Sequence, residues 1–187
     1  KKLLVRNINT YGDLSSTYND QDDYKVLGSV LLNFQYPLLK QTSDDKKFLT
    51  PLISLRYSPF KGRNLNNEKT LLTFDDLFEL DRIDNRTIEN NFSTTIGMEY
   101  KKIDNLSNEN LKIGLGLNLR NKIDNDLPES SSIGQKTSDI IGYSGINITE
   151  NLSIKYNFSL DQSLSETNYS LISADFSSSK IKTSFEY

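Results

Sequence analysis

Asp75, Asp76, Asp81 and Asp84 crowd one short stretch of this chain, and closely spaced carboxylates are the raw material of calcium sites. Their spacing does not match an EF-hand loop, and the glycine that such a loop needs at its sharp turn is missing. The 187 residues contain no His and no Cys. That removes the commonest general base and metal ligand, thiolate ligation and any disulfide framework. Ser, Lys and carboxylates remain, yet no glycine-rich phosphate loop or nucleophile elbow organises them. A net charge of −3 and a pI near 5.1 leave no broad basic footprint for nucleic acid. These residues point away from an enzyme and from a bound cofactor or metal. What remains is the chemistry of surfaces.

Those surfaces are set by a period of two. Leu111, Ile113, Leu115, Leu117 and Leu119 alternate with Lys112, Gly114, Gly116, Asn118 and Arg120. Leu152, Ile154, Tyr156, Phe158 and Leu160 alternate in the same way with Ser153, Lys155, Asn157, Ser159 and Asp161. Successive side chains leave a strand on opposite sides, so each such segment reads as a β-strand with one apolar and one polar face. About eight or nine strands can be placed, at 3–10, 28–38, 51–58, 92–101, 111–120, 139–149, 152–161, 169–177 and 179–187, with a charged turn expected at 41–47. Short turns alternate with longer loops, a habit of transmembrane barrels that Greek-key sandwiches share.

The mean hydropathy of −0.55 argues against helical spans, and the apolar runs are as short as Val30-Leu31-Leu32. It says little about a barrel, whose strands alternate and whose loops are polar. Strand segments of about 9–11 residues suit a membrane, and Tyr36, Tyr57, Tyr100 and Tyr187 close apolar faces as an interfacial girdle would. Tyrosine also has high strand propensity in soluble sheets. Periodicity does not say which face is inside, so a soluble sandwich stays open at this point. The 59–91 segment carries its own apolar cluster: Leu71, Leu72, Phe74, Leu77, Phe78 and Leu80. It fits a loop packed at a barrel mouth, with Asp75, Asp76, Asp81 and Arg82 in charge pairs, or a helical turn at 75–81 covering the end of a sandwich.

The order of residues here is more specific. A strand bounded by Pro51 and Pro59 leads to 64–68, then to Phe74, Asp75, Asp76, Leu77 and Phe78, then to Asp81-Arg82, Arg86 and Glu89, and finally to a strand with Gly97 and Tyr100. This resembles the C-terminal barrel of the LPS-assembly outer-membrane protein family LptD (organic solvent tolerance protein). Phe34, Tyr36, Pro37 and Leu38 upstream, and Ser138 to Gly142 downstream, fit the same template. Asp81-Arg82 stands where the family usually has Asn-Arg, and the family's Phe-Ser-Gly-x-Asp-Arg is shortened here to Ile83-Asp84-Asn85-Arg86.

The resemblance implies an all-β fold: an antiparallel transmembrane β-barrel segment, about eight or nine strands of a larger outer-membrane barrel, forming a curved open sheet by itself. Residues 1–187 would be a partial C-terminal barrel domain with a long loop at 59–91. The start on Lys1 without Met and the close on a strand at Tyr187 suit a piece of a longer protein. The implied function is that of a translocon component that assembles lipopolysaccharide (LPS) into the outer leaflet of the outer membrane, without catalysis or cofactor. Implied partners are LPS, an LptE-like lipoprotein plug, the periplasmic LPS-transport bridge through an N-terminal domain outside this chain, and outer-membrane lipid, but no nucleic acid. Pro59, Asp75, Asp76, Leu77, Phe78, Asp81, Arg82, Arg86 and Glu89 form the structural signature loop. Arg56, Glu99, Lys112, Arg120, Lys155 and Asp161 are candidate lumen-facing residues. The alternatives are a small porin-like channel and a soluble β-sandwich binding module.

Overall fold

Alternation resolves, among the described residues, into ten strands in a computed structural model. They are β1 (Lys2–Ile8), β2 (Asp23–Gln35), β3 (Leu38–Gln41), β4 (Asp45–Ser58), β5 (Asn91–Asp104), β6 (Glu109–Arg120), β7 (Ile140–Thr149), β8 (Leu152–Leu160), β9 (Thr167–Ser177) and β10 (Lys182–Glu186). The structure describes residues 2–8, 23–83, 87–105, 108–177 and 182–187, with the backbone alone at 2–8 and 23–25. All described pairings are antiparallel, in the order β1-β2-β4-β5-β6-β7-β8-β9-β10, with β3 beside β4. Sequential strands are spatial neighbours. β1 and β10 are the two edges, so the described sheet is open.

Of the boundaries that differ from the sequence reading, two have a clear physical reason. The second strand stops at Gln35, because Pro37 has no N–H to give to a ladder. β3 resumes pairing with β4 at Leu38↔Leu49, and Pro51 of β4 falls beside the interruption, where Tyr36 N donates to Pro51 O at 3.2 Å. The two prolines thus share one weak point. β4 also begins at Asp45, inside the segment that reads as a charged turn. The turn shrinks to 42–44, closed by Thr42 Oγ1 donating to Asp45 Oδ1 at 2.6 Å.

Register defines the two faces. One row runs Pro51–Met98–Leu115 and another Ile53–Ile96–Leu117. On the opposite face the rows are Arg56–Ser93–Arg120 and Ser54–Thr95–Asn118. The burial is inverted relative to a soluble protein: Ser54 is 2% exposed and Asn118 0%, whereas Met98 is 49% exposed and Leu115 46%. Leu115, Ile154 and Phe158 therefore do not meet in a dry interior between two sheets; all described strands belong to one continuous layer. From Leu49 to Tyr57 the apolar face of β4 covers roughly 26 Å of strand at about 3.3 Å per residue, which at a barrel tilt of about 40° spans about 20 Å of a lipid-facing band of about 25 Å. Lys47 and Lys102, paired across β4 and β5, lie just beyond it.

Candidate functional site

Between Ser58 and Asn91 the chain folds back across the polar face. It can lie flat there because the wall has glycine where the loop has bulk. A Cβ at Gly114 would stand 2.5 Å from the Phe74 ring, one at Gly97 2.6 Å from Phe78 Cζ, and one at Gly116 2.8 Å from Leu77 Cδ2. Phe74 and Phe78 meet edge to face with centroids 5.5 Å apart. A single 3₁₀ turn, Asp76–Phe78, aims these side chains, and Asp76 starts it by accepting from Thr73 N (3.2 Å) and Thr73 Oγ1 (2.7 Å).

A second long connection, 121–139, clasps the first. Leu65 N donates to Asp126 O (2.6 Å), Thr70 N to Ser130 Oγ (3.1 Å), and Lys61 pairs with Asp126 (2.7 Å). Leu72, Leu77, Leu127, Ile133 and Ile141 form the apolar core of this cap. Four of them come from the loops and Ile141 from β7, so the hydrophobic core of the chain is an inner layer laid on the polar wall.

The root of the 59–90 segment is held by charge. Arg56 and Arg120 face each other across Ser93 in one cross-strand row, and Glu89 lies between them. Arg82 donates to both oxygens of Glu89, Nε to Oε1 at 2.6 Å and Nη2 to Oε2 at 2.7 Å. Arg120 Nη1 reaches Oε2 at 2.9 Å, and Arg56 Nε lies 3.7 Å from Oε1. Arg82 also donates to Thr95 Oγ1 (3.0 Å), Asn118 Oδ1 (3.0 Å) and Leu77 O (3.2 Å). Arg56 holds the carbonyls of Glu79 and Leu80, and Arg120 that of Asn90. Wall arginines thus seize loop backbone as well as loop charge. Burial alone would raise the Glu89 carboxyl, but the guanidiniums of Arg56, Arg82 and Arg120 outweigh it and hold the group well below the usual carboxylate range. Arg56 Nε, Arg120 Nε and Asn118 Nδ2 are buried without a hydrogen-bond partner.

Toward the short turns the polar face is open. Lys112 pairs with Asp75 (3.0 Å) and Glu99 (3.4 Å), Lys101 with Glu109 (3.3 Å) and Glu99 (3.6 Å), and Lys155 with Asp175 (3.1 Å). Arg56, Glu99, Lys112, Arg120 and Lys155 all stand on this face, the two arginines beneath the loop and the other three at its open part. Asp161 instead follows the end of β8 and organises a turn, accepting from Glu166 N (3.0 Å), Ser165 N (2.7 Å) and Ser163 Oγ. Those donors, Glu166 N foremost, hold its carboxyl below the ordinary range.

The signature loop divides as well. Leu77, Arg82 and Glu89 are buried, and Phe78 is half-buried. Pro59, Asp75 and Asp81 are exposed, Asp76 caps the turn, and Arg86 lies outside the described residues. Of the charge pairs expected among Asp75, Asp76, Asp81 and Arg82, Arg82 turns instead to Glu89 of the same loop, where both side chains are buried, and Asp75 to Lys112 of the wall. No cluster suited to hold a metal ion occurs among the described residues. Ser93, Thr95, Asn118 and Asp124, the last paired with Arg120 Nη2 at 3.4 Å, were not singled out from sequence. Ser93 comes beside Arg120 and Thr95 beside Asn118 only after a one-residue shift between Lys102 and Ile103, so counting back from the hairpin turn would not have found them.

The family model described as LptD: LPS transport system D matches residues 5–187. No curated protein matches the chain.

Glu89→Gln leaves three buried guanidiniums without their carboxylate, and should loosen the loop by about 3–5 kcal/mol, the cost of breaking a buried pair. Protease cleavage within 59–90 would rise while the wall stays intact. Because the folded carboxyl is depressed, its contribution is fully present above the undocked value of about 4.3 and is lost as pH falls from there through the folded value. Protection of the loop should therefore hold at neutral pH and decline progressively once the pH falls below about 4.3. Gly114→Val should displace Phe74 at a cost of about 1–3 kcal/mol. Adding Phe74→Ala should recover part of that loss, a non-additivity that thermal unfolding of the single and double variants would reveal.

Proposed function

Because the chain belongs to the LPS transport system D family, a family of lipopolysaccharide transport, we propose that it forms part of the wall of an outer-membrane translocon barrel that assembles LPS into the outer leaflet. The observation that carries this reading is the inverted sheet. Ile53, Ile96, Met98 and Leu115 are exposed along one face, and Ser54, Thr95, Asn118 and Arg120 are buried on the other. Such a sheet suits hydrocarbon outside and a hydrated lumen within. An amphiphile needs that pairing, since its sugars travel in water and its acyl chains do not. The two free edges of the sheet favour a partial C-terminal barrel domain, residues 1–187, whose 59–91 loop lines the lumen.

In this reading the chain makes and breaks no bonds. Arg56 and Arg120 serve the loop; Glu99, Lys112 and Lys155 remain accessible to cargo. The uncovered polar face toward the short turns is the side from which a lipoprotein plug and LPS from the periplasmic bridge would enter. With no native cysteine in the chain, single cysteines can report on each face of the full-length protein in bilayers. Fluorophores at Met98→Cys and Leu115→Cys should be quenched by brominated lipid chains, and those at Glu99→Cys and Asn157→Cys should not. Quenching of the second pair instead of the first would put lipid on the wrong face and end the transport reading.

A further inference from the structure

At the open part of the polar face, one row runs Lys112–Gly145–Lys155 across β6, β7 and β8. Gly145 matters because Tyr143, two residues before it on the same face, lies down along β7 over it. A Cβ at Gly145 would stand 2.8 Å from Tyr143 Cζ and 3.1 Å from Cε1, and would meet the hydroxyl. The ring is thereby held against the wall, with a lysine on each neighbouring strand. Lys112 Nζ lies 5.3 Å from the ring centroid. Lys112 is held by Glu99 of the wall and by Asp75 of the loop, while Asp175 holds Lys155. The Asp75 side chain is 70% exposed, so it is the carboxylate that can leave Lys112 without stranding a buried charge.

An aromatic ring laid on a strand offers an apolar surface with a wet rim. Ammonium groups on both sides offer charge-assisted hydrogen bonds to an anion. We propose that Tyr143, Lys112 and Lys155 form a subsite for a phosphorylated sugar of the transported glycolipid, the sugar's C–H face stacking on Tyr143 and its phosphate displacing Asp75 from Lys112. This rests on the LPS-transport reading above. It adds to that reading a place on the wall and the part of the cargo bound there.

The test uses the full-length protein in proteoliposomes, with a photoreactive residue at Asn157, directly opposite Tyr143 in the ladder, and a control at Gln35 on the same face. The probes are purified LPS and the same LPS after phosphatase treatment. The Asn157 adduct should form with intact LPS, persist in Tyr143→Phe and be lost in Tyr143→Leu. Lys112→Gln with Lys155→Gln should remove the preference for phosphorylated LPS, and Asp75→Asn should raise the adduct yield. An Asn157 adduct equally strong in Tyr143→Leu, or blind to phosphate in the parent protein, overturns the subsite. Should Tyr143→Leu fail to assemble, the lysine pair decides: an unchanged preference for phosphorylated LPS in that variant overturns it. Absence of adducts at both Asn157 and Gln35 counts against the transport reading itself, whereas an adduct at Gln35 alone overturns the subsite and leaves transport standing.

Discussion

A carboxylate taken out of water loses hydration worth several kcal/mol, and at Glu89 three guanidiniums take the place of that water. Two of them, on Arg56 and Arg120, are carried by strands on either side of β5, and the third, on Arg82, arrives with the loop itself. The arrangement works only when the loop is docked and the strands are in register. A shift of one residue in β6 would turn Arg120 to the apolar face and leave Glu89 short of a partner. Register, loop position and the burial of the polar wall are therefore one condition met together.

That condition explains an unusual distribution of core. The apolar residues on the outer face of the strands, such as Ile53, Ile96, Met98 and Leu115, form no interior and stand exposed. The buried hydrophobics are Leu65, Leu72, Phe74, Leu77, Ile88, Leu127 and Ile133, contributed by connections, with Leu27 and Ile141 from the strands. Glycines on the wall make room for them, and cross-strand Ser93, Thr95 and Asn118 accept from Arg82. The loop is a second layer, and its inner surface is as specific as any strand pairing.

The cap covers the polar face near the long connections and leaves it open near the short turns. Below the cap, charges are paired across strands but remain reachable, and Tyr143 lies among them. The polar face is thus covered by packed connections at one end and bears solvent-accessible paired charges at the other. For cargo with a charged, sugar-rich head, the open part is where recognition has room to occur.

Much of this was legible in the chain. Alternation located most strands, the missing His and Cys turned attention from catalysis to surfaces, and the order from Pro51 to Tyr100 carried the family. The apolar cluster around Phe74 announced a loop with something to bury. Other features were not legible. Residues 45–47 read as part of the charged 41–47 turn because their charges are local, yet they pair because β3 and β5 flank them. Asp81-Arg82 looks like a local pair, yet Arg82 finds Glu89, Thr95 and Asn118. A period of two is a property of neighbouring residues, so the sequence by itself determined strand, face and spacing. Which face would be buried depended on segments far apart in the chain meeting over Gly97, Gly114 and Gly116. That was decided by tertiary structure, because burial is settled by what arrives on a surface and not by the surface's own composition.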